Sequence, residues 1–284
     1  MKYLRLVEKK EIRKGFGYVF RTFDGRPVLS TSNFLEDSFE KQNKWKIGVS
    51  LSTGCDVGCI YCFTRNLDFY RPLSVEEIVE QASFVYDQNN FSDKQIDEVK
   101  IEMKEMGDPA LNVDGVCGAI RILNDKFLNL LYVVSSSGVK NYSLFEELKK
   151  VRDEDIEIRL QFSCHTTDNE QRRILSPRLD MFSLEEISEV VENWYDENQK
   201  VTLNFVPFKK FEDHYLVREA FYKLKEKCQE VIYYRRVMEL SVKDIKKKMD
   251  LLMLSEDAIR HQISYCLKQL RKFYFDIVGD EKND

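Results

Sequence analysis

Cys55, Cys59 and Cys62 lie in the run LSTGCDVGCIYCFT, spaced C-x3-C-x2-C with Tyr61 directly before the last thiol. Cysteine spacing of this kind carries ligand information. A structural zinc ion wants four closed ligands. A 4Fe–4S cube held by three cysteines keeps one iron open, and an open iron can bind a small molecule. The alternatives are a zinc loop whose fourth ligand lies elsewhere, or three unrelated buried thiols.

Three further segments carry groups suited to a ligand. Lys104-Glu-Met-Gly-Asp-Pro109 places Gly107, which admits close backbone approach, before the carboxylate of Asp108. The same Asp-Pro pair also reads as a type I turn. Ser135-Ser-Ser-Gly-Val139 supplies hydroxyls for ribose or carboxylate oxygens, and equally reads as a serine-rich turn. Phe162-Ser-Cys-His165 supplies Ser163 and His165, a histidine that can also be a satisfied structural group. Lys209, Lys210 and Tyr233-Tyr-Arg-Arg236 add cations and aromatics that suit an anionic or base-bearing substrate.

The pattern C-x3-C-x-aromatic-C resembles the signature of the radical SAM superfamily. The three later segments are similar to successive motifs of its RlmN/Cfr branch, the RNA adenine methyltransferases. Phe162–His165 and the following TTDNEQRRILSP, with Arg172 or Arg173 and Pro177, continue that likeness. The resemblance implies a 4Fe–4S cluster on Cys55, Cys59 and Cys62. It implies S-adenosyl-L-methionine bound to the open iron, with Gly107, Asp108, Ser135, Ser163 and His165 as cofactor contacts. Reductive cleavage would give methionine and a 5′-deoxyadenosyl radical, and a one-electron donor such as flavodoxin is implied. Phe63, Thr64 and Arg65 are expected to shield the cluster.

The departures from that branch are specific. Asp108 stands where it has Glu, Glu105 where it has Gly, and Cys164 where it has Leu. Members methylate a cysteine near the C-terminus and use a partner cysteine seven residues before the first cluster cysteine. That partner position is Gly48 here. The nearest counterpart of the methylated cysteine is Cys266, in Ile263-Ser-Tyr-Cys-Leu-Lys-Gln-Leu270. Cys266 also falls on a helical apolar stripe with Ile259, Ile263, Leu267 and Leu270, where a cysteine reads as core. Three functions follow as expectations. The first is radical modification of a nucleotide, nucleic acid, peptide or metabolite without a methyl-cysteine carrier. The second is RNA base methylation through Cys266, and the third a non-catalytic iron–sulfur redox sensor.

Positioning these residues requires strands that end at the motifs. Strand-like segments at 46–51, 98–103, 130–135, 157–163, 201–206 and 230–234 alternate with helix-like ones, which argues for βα units and a parallel sheet. Ser74-Val-Glu-Glu and Ser183-Leu-Glu-Glu open two helices as capping boxes, and others are expected near 112–126, 142–151, 213–228, 241–252 and 254–277. The expected fold is a partial, TIM-like (β/α)6 barrel over 46–252. Residues 1–45 would form a hairpin cap around Gly15–Gly17 and Asp24-Gly25, and 253–284 a C-terminal helix. Each motif then falls at a strand C-terminus, where α/β folds bind ligands.

Composition is consistent with this. The chain has 284 residues, 43% apolar, enough for a full barrel core. No apolar run reaches membrane-spanning length and the N-terminus lacks a signal-peptide core, so a soluble, cytoplasmic protein is expected. Seven cysteines then point to reduced thiols and metal ligation. The net charge of −5 conceals two basic segments, +5 over residues 1–46 and +4 over 209–250, which suit a phosphate-rich partner or simply solvated helix faces.

Overall fold

The computed structural model describes residues 1–37, 42–67, 71–88, 91–92, 94–195, 201–205, 224–232, 242–249 and 254–280. Among them eight strands form one open sheet in chain order. These are β1 (Leu4–Ile12), β2 (Gly15–Thr22), β3 (Pro27–Asp37), β4 (Gln42–Val49), β5 (Glu98–Met103), β6 (Leu130–Ser136), β7 (Ile158–Ser163) and β8 (Thr202–Asn204). Strands β1–β4 pair antiparallel, and β4–β8 pair parallel. The helices between the parallel strands are α1 (Val75–Gln88), α2 (Val113–Lys126), α3 (Tyr142–Arg152), α4 (Asn169–Leu175) and α5 (Leu184–Trp194). This is a partial barrel of βα units. Its first 37 residues widen the sheet laterally, because β3 pairs with β4 from Ser30–Val49 to Asp37–Gln42.

Period-two patterning separates the two faces of the sheet. Trp45, Ile47, Val49, Ile101, Met103, Tyr132, Val134, Leu160 and Phe162 share one core with Ile78, Ala82 and Val85 of α1, Ile120 of α2, Leu144 of α3 and Val190 of α5. The intervening residues form an inner face that is mostly polar, with Leu131 and Val133 of β6 as buried apolar members. On it Lys46 pairs with Glu102 at 3.6 Å, and Gln161 Nε2 donates to Ser135 Oγ at 3.1 Å. A polar inner face is costly unless it is paired or faces a ligand.

Caps fix where helices begin. Ser183 and Glu186 form the expected capping box of α5. Before α1, the Ser74 backbone N–H donates to Glu77 Oε2 at 2.9 Å and Glu77 N–H to Ser74 Oγ at 3.2 Å. Glu77 also accepts twice from Arg71, whose guanidinium reaches Asp24 in the β2–β3 turn. Gln81 of α1, fully buried, anchors the end of β4. Its Oε1 accepts from Ser50 N–H at 3.0 Å and Ser30 Oγ at 2.9 Å, while its Nε2 donates to the Ser50 carbonyl at 3.1 Å.

The chain divides into two compact units, Met1–Pro207 and Phe208–Asp284. In the second, α6 (Glu226–Ile232) and α7 (Val242–Lys248) both pack on α8 (Glu256–Asp280). Residues 230–232, expected as the start of a sixth strand, belong to α6. Glu226, Lys227, Cys228 and Gln229 precede them with helical propensity, and the buried Leu224 and Cys228 repeat at a helical spacing of four. The expected helix at 213–228 falls largely outside the described residues, as do Lys209, Lys210 and Tyr233–Arg236.

Gln81→Leu keeps the side-chain volume but strands the buried groups of Ser50 and Ser30. By the cost of unsatisfied buried groups it should lower unfolding free energy by about 2–4 kcal/mol. Chemical denaturation of the full chain checks this, and a loss below about 0.5 kcal/mol would contradict the anchoring role.

Candidate active site

The cysteine loop leaves the end of β4 and is pinned before it turns. Leu51 and Ser52 N–H both donate to the Met106 carbonyl, at 2.7 and 3.2 Å. Asn112 Nδ2 donates to the carbonyls of Leu51 and Leu73 at 2.9 Å each. The loop closes with Cys62 N–H to the Cys59 carbonyl at 3.0 Å, and Ile60 N–H ties it to the Leu175 carbonyl at 2.9 Å. Cys59 is buried with its Sγ 3.3 Å from Ser176 Oγ, and Cys55 and Cys62 are half-buried. Burial, with the nearby charges of Asp108, Cys59 and Cys62, pushes the Cys55 thiol up to about 12. Burial likewise raises Cys59, against the hydroxyls of Ser176 and Tyr61. Phe63 opens a short 3-10 turn, Phe63–Asn66, and is 64% exposed, while Thr64 is the buried member.

The second motif locks onto the first. Gly107 has φ +92°, and a Cβ there would collide with Ser52 Oγ. Glycine is required by this approach of one loop to another. Asp108 is almost fully buried and caps the 3-10 turn Pro109–Leu111. Its Oδ1 accepts from Ala110 N–H at 3.0 Å and Ser136 Oγ at 2.9 Å; its Oδ2 accepts from Ser137 N–H at 2.7 Å. Burial raises its pKa while these three donors oppose the rise. Asp108 thus braces the tops of β5 and β6 beside Cys55, and Oδ2 keeps acceptor capacity for one more donor.

At the tops of β6 and β7, Ser135 and Ser163 lie on the inner face, half-buried. Cys164 and His165 N–H donate to the Asn204 carbonyl at 2.9 and 3.1 Å, and His165 takes the left-handed backbone at φ +62°. That turn sets its ring edge-on to Tyr61, with centroids 4.7 Å apart. Burial, then the Arg172 charge, lowers the His165 pKa, which favours a neutral imidazole. Between the two arginines left open by spacing, Arg172 is the buried one. It donates to the Cys164 carbonyl at 3.0 Å and the Ser137 carbonyl at 3.2 Å, binding the two loops together.

Cys55, Cys59, Cys62, Gly107, Asp108, Ser135, Ser163 and His165 therefore all stand at the C-terminal ends of β4–β7. Ser52, Ser136, Ser137 and Ser176 belong to the same assembly and escaped the sequence reading. A serine's partner depends on which loop comes beside it, and only the repeated Ser135-Ser-Ser hinted at more than one role. Cys266 lies in the second unit, where it is bonded to Cys228 (Cα–Cα 5.2 Å). The expectation that all seven cysteines are reduced is corrected here: five are free thiols.

The donor set suits a cluster better than a lone ion. A single zinc draws sulfur to about 2.3 Å, whereas a cube offers each cysteine its own iron. Thiolates held in so apolar a setting need a counter-charge, and iron supplies it.

The radical SAM superfamily profile matches residues 49–220, more than half the chain. The chain belongs to the radical SAM superfamily. Its cofactors are those of the family, a 4Fe–4S cluster and S-adenosyl-L-methionine, and it is a radical SAM enzyme. It is 29% identical over 184 residues to the dual-specificity RNA methyltransferase RlmN of Nautilia profundicola, covering 63% of this chain and 50% of that protein. It is 29% identical over 202 residues to the probable dual-specificity RNA methyltransferase RlmN of Thermus thermophilus, covering 69% and 53%. The chain thus spans about half the length of these curated relatives. A radical SAM methyltransferase structure from Sphaerobacter thermophilus shares the fold, with TM-score 0.62 and 23% identity over 75% of this chain and 61% of that one.

Gly107→Ala forces a positive-φ strain worth about 1–3 kcal/mol and pushes Ser52 away. It should lower the melting temperature and the iron bound per chain after reconstitution. Ser52→Gly in the same chain should recover part of both, and a fully loaded, undestabilised Gly107→Ala protein would contradict the interlock.

Proposed function

We propose that this enzyme generates its radical from S-adenosyl-L-methionine and modifies a nucleotide or nucleic-acid substrate without a methyl-cysteine carrier. Cys55, Cys59 and Cys62 would hold the cluster, which with S-adenosyl-L-methionine would supply radical hydrogen-abstraction chemistry at this site. The chain's own residues hold and orient. Asp108 offers Oδ2 to the ligand's ammonium, Ser135 and Ser163 present hydroxyls from the inner face, and His165 with Tyr61 walls the loop. The protein's share of such chemistry is placement and exclusion of water. A small one-electron donor such as flavodoxin and a cytoplasmic setting fit a reducible cluster. The relatives named RNA methyltransferases favour nucleic acid over peptide.

The carrying observation is at Gly48. A side chain there would collide with the carboxyl of Glu105 and stand within 2.5 Å of Thr31 Oγ1. A thiol at this strand position, from which the second cysteine of a carrier route would act, would have to displace the Glu105 carboxyl from Thr31. Cys266, the other thiol that such a route needs, is already paired with Cys228. A second reading, RNA base methylation through Cys266, is favoured only by its likeness in sequence to the RlmN proteins.

Anaerobically reconstituted protein with dithionite and S-adenosyl-L-methionine should yield 5′-deoxyadenosine, and Cys55→Ala should yield none. An intact cluster without that product would instead indicate a redox sensor. Cys266 purified from cells should carry no added methyl group by peptide mass, and Cys266→Ala should retain product formation. A methylated Cys266, with product lost on its substitution, would establish the carrier route instead.

A further inference from the structure

Among the described residues, Glu105 is the inner-face group at the barrel mouth that neither the cluster loop nor the cofactor contacts account for. Its backbone N–H continues the β4–β5 pairing by donating to the Val49 carbonyl at 3.1 Å. Its side chain turns back across Gly48 to accept from Thr31 Oγ1 at 2.7 Å. Gly48 pairs with Thr31 on one side and Glu102 on the other, so all three stand on the polar face away from the helices. The carboxyl is therefore held by one hydroxyl, between strands β3 and β5, at the strand ends where ligands bind in such folds. One hydrogen bond leaves a carboxyl with most of its acceptor sites open. Burial raises its pKa, opposed by Thr31 and Lys104. A carboxyl so placed is costly unless a donor completes it. Gly48 has no other evident reason to lack a side chain inside a strand, where glycine weakens the fold.

We propose that Glu105 is a substrate-binding residue, receiving an N–H donor such as the amino or amidine edge of a base, and that Gly48 is glycine to admit it. This deepens the proposed function and rests on its assignment of the inner face as the substrate side.

The test uses cells lacking the gene and carrying wild type, Cys55→Ala, Glu105→Gln or Glu105→Ala, compared by untargeted mass profiles of RNA nucleosides and nucleotides. A feature present with wild type and absent with Cys55→Ala marks the product. Glutamine keeps the volume and the acceptor for Thr31, so a collapsed site is not at issue for it. Glu105→Gln should lower the feature at least tenfold while the purified protein still forms 5′-deoxyadenosine, raising the ratio of cleavage to product at least tenfold. The feature at wild-type level in both Glu105 variants would overturn the proposal. So would a Gly48→Ala substitution whose melting shift is the same with Glu105 as with Glu105→Ala beside it, since the two side chains would then not meet. Wild type and Cys55→Ala with identical profiles would count against the proposed function instead, and the Gly48→Ala melting result would still decide the placement of Glu105.

Discussion

The site depends on the contact between two strand-top loops, Gly107 against Ser52, with the Asp108 carboxylate buried next to it. Ser52 opens the loop that carries the three cysteines, and it shares the Met106 carbonyl with Leu51. Because Gly107 lets this loop sit down on the end of β5, the next residue turns its carboxylate toward Cys55 and across to Ser136, the last residue of β6, and Ser137 just beyond it. Three consecutive strands are thereby held at one height by short hydrogen bonds. The protein's own hydrogen bonds carry the cysteines to the barrel mouth, where burial raises the Cys55 and Cys59 thiols.

Charge sorting follows from the same constraint. The helix-facing side of the sheet is apolar and supplies the core, while the inner side carries Lys46, Glu102, Ser135, Gln161 and Ser163. Arg172 completes the closure on the β7 side. Its burial lowers its pKa, and the carbonyls of Cys164 and Ser137 receive its donors. An arginine committed to backbone carbonyls stiffens the loops around a ligand rather than binding it. Glu105 is the contrasting case, a carboxyl laid over Gly48 and tethered by one hydroxyl, that of Thr31.

Much of this was legible in the chain because the signals were local. Cysteine spacing, the capping boxes at Ser74 and Ser183, and the apolar strands at 98–103 and 130–135 all express short-range physics. What the sequence hid was set by partners distant in the chain. Ser176 meets Cys59 across 117 residues, and the 84-residue separation between Ser52 and Ser136 gives no clue that both serve one carboxylate motif. The segment 230–232 misled because Val231 and Ile232 have strand propensity, yet the helical run from Glu226 carries through them. The N-terminal turns were visible, but not that β3 would find β4 as its neighbour and broaden the barrel sheet. The covalent partner of Cys266 was equally hidden, since 38 residues separate it from Cys228.

The central claim is a cube with one iron left free by protein and taken by S-adenosyl-L-methionine. Electron–nuclear double resonance on the reduced, reconstituted enzyme, with the amino nitrogen and carboxylate of S-adenosyl-L-methionine isotopically labelled, tests it most directly. The account predicts couplings that place both labels on one iron, in protein carrying about four irons per chain. A fully protein-ligated cluster with no coupling to either label, or zinc in place of iron, would contradict it.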